Sequence, residues 1–276
     1  MKLLDLPKID GHCHVLDPRR FAYAAETAYH PQGQEIGTTD YFLHVMQAYG
    51  VERALLVGPN SGYGNDNRCL LDALSRGQGR FKGVAVVPAD TNASQLQALK
   101  TQGVVGIAFN PALHGLPHYA DIDPLLERMH ALGLWAQIQV SGNQLGLLLP
   151  RLERIGVRVV IDHCGRPVLG DGPNAPGIQA LLRLAQSGQG VIKLSGFAKF
   201  SEQGYPFDDC RSHVLRLLHA FGPKRCIWAS DWPFLRAPYR LDYGTLLALA
   251  ANWFSLEQCR QMMWDAPAQL FDWCMP

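Results

Sequence analysis

Short β-rich runs alternate with longer amphipathic stretches along the whole chain. Residues 9–14, 53–57, 82–87, 105–109, 134–140, 157–161, 190–194 and 225–229 are predicted strands. Residues 39–48, 67–75, 93–102, 123–132, 143–155, 177–187, 210–221 and 243–254 are predicted helices. Their apolar residues recur at i, i+3, i+4 and i+7, as Leu145, Leu148, Leu149 and Leu152 do, which is the period of a helix with one buried face. Apolar runs such as residues 83–87 (GVAVV) and 157–161 (VRVVI) suit parallel strands covered on both sides. Thr39 and Asp123 are expected as helix N-caps, with Pro124 at the first helical position. Eight strands, each followed by a helix, predict an α/β fold of one domain spanning residues 1–276, a (β/α)8 TIM-type barrel. A doubly wound open sheet is the alternative, but no G-x-G-x-x-G follows the first strand.

Composition narrows the function classes. Hydrophobic residues make up 47% and charged residues 18% of the 276 positions, enough to bury a large core. Lys plus Arg number 25 against 24 acidic residues, and no run of five like charges occurs, which argues against nucleic acid or an anionic membrane as partner. The apolar run at residues 246–251 is far short of the roughly 20 residues that span a bilayer. Asp5 and Pro7 interrupt the N-terminal stretch where a secretory signal would be apolar. The seven cysteines (13, 69, 164, 210, 226, 259 and 274) are odd in number and form no C-x-x-C, so they read as reduced, mostly buried thiols. A soluble, cytoplasmic protein is the expectation.

Polar clusters fall at the ends of predicted strands. Strand one ends in Asp10-Gly11-His12-Cys13-His14, and in an extended strand His12 and His14 point to one face with Cys13 on the other. Two imidazoles on one face can ligate a metal or polarise one oxygen, although a plain core or surface pair would look the same. Strand six ends in Asp162-His163-Cys164-Gly165-Arg166-Pro167, where a lone His is more often structural. Strand eight ends in Ser230-Asp231-Trp232-Pro233, and Asp231 alone would pass for a helix cap. In a barrel the carboxyl ends of strands one, six and eight open onto one face, so three His and an Asp together predict a hydrolytic site with Asp231 as general base.

The ordered set Ile-Asp-Gly-His-Cys-His, Ile-Asp-His-Cys-Gly-Arg-Pro, Lys-Leu-Ser-Gly and Trp-Ala-Ser-Asp-Trp-Pro resembles the amidohydrolase superfamily, of the amidohydrolase-2 type. Within it, the chain is similar to the branch containing 2-pyrone-4,6-dicarboxylate lactonase and the sugar-acid lactonases. The segment from Trp264 to Phe271 resembles the closing helix of these proteins, so the likeness covers nearly the whole chain. The resemblance implies that Asp231, His12, His14 and His163 are catalytic. In many members such residues hold one or two divalent ions, helped by a lysine or glutamate after strand four and a His after strand five. Here strand four reads Gly106-Ile107-Ala108-Phe109-Asn110 and strand five Gln137-Ile138-Gln139, so a binuclear centre is not expected. One Zn²⁺ on His12, His14 and Asp231 stays open, but the pyrone-dicarboxylate branch works without metal and no required cofactor is expected.

The expected reaction is the opening of a small lactone of sugar-acid, muconolactone or pyrone-carboxylate type. Dicarboxylate-binding relatives are similar through G-V-R-G-V-R-like segments after strand four, whereas Val105 and Ala108 stand where those arginines would be. Arg166 after strand six and Lys199 after strand seven are expected to bind anionic groups, and Asn110, Gln137 and Gln139 hydroxyls. Arg166 is nearly as often the base of a structural salt bridge. Residues 18–38, with Tyr23, Tyr29 and His30, are expected to lie over the mouth, and Trp232 to wall water from the base. A Zn-dependent decarboxylase or other metal-dependent hydrolase of the superfamily is the enzymatic alternative, and a catalytically silent binding barrel the non-enzymatic one. The partner expected is a small-molecule lactone, with the oligomeric state left open.

Overall fold

The computed structural model describes residues 2–27 and 29–273, so Cys274 lies outside the described residues. The strands are β1 (Lys8–Cys13), β2 (Val51–Val57), β3 (Phe81–Ala85), β4 (Val104–Phe109), β5 (Trp135–Ile138), β6 (Arg158–Ile161), β7 (Gly190–Leu194) and β8 (Cys226–Trp228). They form one eight-stranded sheet in sequence order, and the pairings from β1 to β3 and from β4 to β7 are parallel. Beyond β8 the chain returns to the end of β1 through a parallel bridge between Trp232 and Cys13. Helices follow the strands: α1 (Thr39–Tyr49), α2 (Arg68–Arg76), α3 (Ala93–Thr101), the short α4 (Pro111–His114), α5 (Asp123–Leu132), α6 (Gln144–Ile155), α7 (Pro176–Ser187), α8 (Asp208–Phe221) and α9 (Tyr243–Trp253). Two further short helices, α10 (Leu256–Arg260) and α11 (Ala266–Leu270), are joined by one π turn at Gln261–Asp265. Sequential parallel strands with helical crossovers are a (β/α)8 barrel.

The residues pack as two compact units. One takes in the chain up to Val86, Thr101–Val105 and the chain from Trp228 on; the other takes in Val87–Lys100 and Gly106–Ile227. In the first, Phe42 of α1 stacks on Phe81 of β3 at 6.1 Å and on Trp232 at 4.7 Å. In the second, α6 buries Leu145, Leu148, Leu149 and Leu152, the four positions picked out by helical period. Truncating any one of them to Ala should cost about 2–5 kcal/mol. All six described cysteines are free and buried, and among the described residues no helix is long and apolar enough to cross a membrane.

Two cap assignments are corrected. The residue capping α1 is Thr38, whose side chain accepts from the Tyr41 backbone N–H at 3.2 Å; Thr39 is already helical and buried. Asp123 is the first residue of α5, not its cap, because its carboxylate is taken by Arg151 and Arg154.

Candidate active site

Strand alternation puts Asp10, His12 and His14 on one side of β1 and its extension. The two imidazoles meet edge to face, with 3.3 Å between their Nε2 atoms. Cys13 points the other way, its Sγ 3.6 Å from the Leu55 carbonyl. His14 donates Nδ1–H to the Val57 carbonyl at 2.8 Å, which fixes its tautomer and turns Nε2 toward His12. Asp231 completes the cluster. Its Oδ1 lies 3.8 Å from His12 Nε2 and 3.7 Å from His14 Nε2, and all three side chains are buried.

Asp231 reaches this place by an uncommon backbone route. Its φ is +63°, in the left-handed region that costs a non-glycine residue about 1–3 kcal/mol. It is held there on both sides: its N–H donates to the His12 carbonyl at 2.9 Å, and the Trp232 carbonyl accepts from His14 N–H at 2.8 Å. Asp10, fully buried, accepts four hydrogen bonds. Its Oδ1 takes the N–H groups of His12 (3.1 Å) and Ser230 (3.0 Å), and its Oδ2 takes the hydroxyls of Ser230 (2.5 Å) and Tyr243 (2.8 Å). Burial pushes this carboxyl above the usual range, and the four donors pull it back.

The fit of one metal ion can be tested on these distances. Two Zn–N bonds of about 2.05 Å at a tetrahedral angle put the nitrogens about 3.3 Å apart, the spacing of the two Nε2 atoms. The three ligand atoms of His12, His14 and Asp231 lie within 4.8 Å of one another. The Val57 carbonyl behind His14 is the kind of outer partner that metal-bound imidazoles use. The residues fit a single divalent ion.

At the end of β6, His163 is buried with φ +51°, and its Nδ1 lies 3.0 Å from Ser195 Oγ just past β7. Gly196 makes room for it, since a Cβ there would lie 2.5 Å from His163 Nδ1. Beside it three buried polar groups close a ring. Lys193 Nζ meets Gln137 Oε1 at 2.6 Å and Asp162 Oδ1 at 3.2 Å, and Gln137 Nε2 donates to Asp162 Oδ2 at 3.0 Å.

Residues 9–273 match a family model described as Amidohydrolase. The chain belongs to the amidohydrolase family. It is 33% identical over 276 residues to the 4-sulfomuconolactone hydrolase of Rhizobium radiobacter, covering 95% of this chain and 89% of the relative. The protein of the same name from Hydrogenophaga intermedia is 30% identical over 273 residues, covering 95% and 88%. Among solved structures, a probable 2-pyrone-4,6-dicarboxylic acid hydrolase from Acinetobacter baumannii, with citric acid bound, superposes with a TM-score of 0.86 at 27% identity. That likeness covers 96% of this chain and 99% of the other. The chain is an enzyme.

The residues expected to contact substrate are placed variously in this amidohydrolase. Arg166 is half-buried with φ +42°, in a run of left-handed residues that begins at His163, and its carbonyl accepts from Gly142 N–H. Lys199 is half-buried in a single turn after β7. Asn110 commits its Oδ1 to capping α4 through Leu113 N–H at 3.1 Å. Gln139 is half-buried just past β5, whereas Gln137, expected to bind a hydroxyl, is committed to Lys193 and Asp162. Trp232 is buried, stacks on Phe42, and lines a cleft of about 830 Å³ with Tyr41, Tyr49, Tyr239 and Tyr243. In the 18–38 segment Tyr23 stacks on His30 at 5.3 Å, and Gly37 packs where a Cβ would meet the Trp232 ring at 2.4 Å.

Sequence reasoning missed the parts played by Asp10, Ser230, Tyr243 and Ser195. A signal was present for two of them. Asp10 sits two residues before His12, and Ser195 two residues after Lys193, each on the same strand face as its neighbour.

Proposed function

We propose that this amidohydrolase opens a small lactone by attack of water, with Asp231 as the general base. The observation that carries the reading is the Asp231 carboxylate at 3.7–3.8 Å from two imidazole nitrogens, a base and two polarising groups around one small space. Two relatives at 30% and 33% identity are named as lactone hydrolases, which supports the same bond type here.

A lactone is an ester with a competent leaving group, so modest polarisation of its carbonyl suffices. Asp231 takes a proton from water as the water oxygen bonds to the carbonyl carbon. His12 and His14 stabilise the oxyanion. With His14 Nδ1–H committed to Val57, the paired Nε2 atoms are the groups that face the carbonyl oxygen in this reading. In this reading His163, oriented by Ser195, assists at the carbonyl. The ring C–O bond then breaks and Asp231 returns its proton to the leaving oxygen, giving a hydroxy acid. A divalent ion on His12, His14 and Asp231 would, when bound, polarise the same carbonyl. β4 and β5 carry none of the extra ligands of two-metal members, and the proposed steps use the chain's own groups.

The test is acid release from a panel of lactones, followed with a pH indicator, for wild type and Asp231→Asn. The amide keeps the shape but cannot take the proton, and loss of a general base costs about 10²–10⁴-fold. Lactone opening that falls by this much in the variant is expected. A variant turning over at the wild-type rate removes Asp231 from the mechanism.

A further inference from the structure

We propose that Asp10 is a positioning residue that holds the Asp231 backbone in its left-handed conformation. This inference rests on the reading of Asp231 as the base. Three consecutive N–H groups around that residue are tied down. The Ser230 N–H donates to Asp10 Oδ1 at 3.0 Å. The Asp231 N–H donates to the His12 carbonyl at 2.9 Å, and the His12 N–H itself donates to Asp10 Oδ1 at 3.1 Å. The Trp232 N–H donates to Ser230 Oγ at 2.9 Å, and that hydroxyl donates to Asp10 Oδ2 at 2.5 Å. All three tethers lead to one buried carboxylate, directly or through a single group.

Strain of the kind seen at Asp231 persists only where the surroundings over-determine it. β8 ends at Trp228, and past it one isolated bridge to β1 at Trp232 holds the chain by backbone bonds alone, so Asp10 adds the side-chain constraint on Ser230 and, through its hydroxyl, on Trp232. The carboxylate is suited to the work. Four N–H and O–H donors converge on its two oxygens, and a protonated acid or an amide would turn a hydrogen toward at least one of them. Tyr243 donates to Asp10 Oδ2 from the first turn of α9 and its hydroxyl also neighbours Ser230, but removing that hydroxyl leaves the three tethering hydrogen bonds themselves in place. It therefore separates damage to the hub from damage to the tether.

The experiment compares Ser230→Ala, Asp10→Ala and Tyr243→Phe with Asp231→Asn on the lactone that wild type opens fastest, together with the crystal structure of Ser230→Ala. Ser230→Ala severs the link to Trp232, and a displacement of the order of 1 Å at a reacting group costs about 10²-fold. A fall in kcat of about 10-fold or more, with KM within about threefold, is the expected split for an interaction that serves only the reacting state. Tyr243→Phe should lose stability but keep kcat within about threefold of wild type. The Ser230→Ala crystal structure should show φ at residue 231 shifted from its wild-type value. A purely structural hub would make kcat follow melting temperature in all variants, Tyr243→Phe included, and that result overturns the proposal. So does unchanged kcat and unchanged φ in Ser230→Ala while Asp231→Asn is inactive. An active Asp231→Asn instead refutes the base assignment and leaves the φ of Ser230→Ala to judge the tether. If Asp10→Ala does not fold, Ser230→Ala decides by both measurements.

Discussion

Lys193 Nζ lies 3.2 Å from Asp162 Oδ1, with both side chains buried inside the sheet. The lysine comes from the next-to-last position of β7 and the aspartate from the residue after β6, and Gln137 of β5 bridges them. Three neighbouring strands are thereby pinned at the level where His163 leaves β6. Two charges buried together gain little over an apolar pair, but one left alone is costly. Lys193→Met should therefore destabilise the protein by about 3–5 kcal/mol, because the buried Asp162 carboxyl loses the cation it faces. Urea unfolding of the two proteins side by side measures it, and a loss under about 1 kcal/mol would show that the pair is not what anchors these strands.

That network also marks where sequence reading stopped. The strands and main helices were legible because burial on both faces leaves long apolar runs and one-sided burial leaves a helical period, as at Leu145 to Leu152. His12, His14 and Asp231 were legible as a group because they end strands one and eight, and those ends adjoin through Cys13 and Trp232. The supports behind them were not. Gln137 looked like a hydroxyl binder because its side-chain direction is known from strand parity but its partner is not. Lys193 and Asp162 lie 31 positions apart and meet only through strand register. Thr38 rather than Thr39 caps α1 because the choice depends on one residue's ψ, which two adjacent threonines do not reveal.

His213 gives the fold a dependence on acid. It is buried on α8, its Nε2 lies 3.0 Å from the Cys164 carbonyl, and burial, followed in size by the raising effect of that hydrogen bond, leaves its pKa below the ordinary value; Arg216 also lowers it. The unfolded chain takes up this proton near pH 6.5 while the folded chain still resists it, so below that pH unfolding binds a proton. Stability should fall as pH drops from about 6.5 toward the folded value, by at most about 1.4 kcal/mol per pH unit from this group. Urea unfolding at several pH values from neutral downward should show a shallower acid limb for His213→Gln than for wild type. Parallel curves would mean that other groups carry the acid sensitivity.

Metal removal tests how the carbonyl is polarised. The donor set fits one divalent ion, but strands β4 and β5 offer neither the lysine or glutamate nor the His that assist ions in other members. The His12 and His14 imidazoles are proposed to polarise the carbonyl in its place. Lactone opening should persist after exhaustive chelation, and elemental analysis of the purified protein should find well under one metal per chain. Stoichiometric zinc, with activity that disappears on its removal and returns with it, would assign the polarising role to the ion.

Substrate charge is the last consequence, and it turns on β4. The two expected arginine positions, Val105 and Ala108, are half-buried in β4, but three residues apart they face opposite sides of the strand, and only Ala108 lies toward its carboxyl end. Neither side chain can make a bidentate contact to a carboxylate. A missing charge-assisted contact at Ala108 is worth about 1.5–3 kcal/mol, so a dianion should be weakened by about 10-fold to 10²-fold. Arg166 and Lys199, the cations expected after strands six and seven, are proposed to hold no more than one carboxylate. With Asn110 Oδ1 used as a cap and Gln137 held by Lys193, Gln139 is the amide best placed for a ring hydroxyl. A neutral or monoanionic lactone, of sugar-acid or muconolactone type, should therefore exceed 2-pyrone-4,6-dicarboxylate in kcat/KM when both are measured at one pH and ionic strength. If the dicarboxylate wins by about tenfold, a gain of some 1.4 kcal/mol, the loop after β4 has found another cation. His114 would be the first residue to test, since it stacks on His118 at 4.6 Å in that loop. Burial, and then the neighbouring His118, lower its pKa, so holding an anion there would require the substrate itself to draw the proton in.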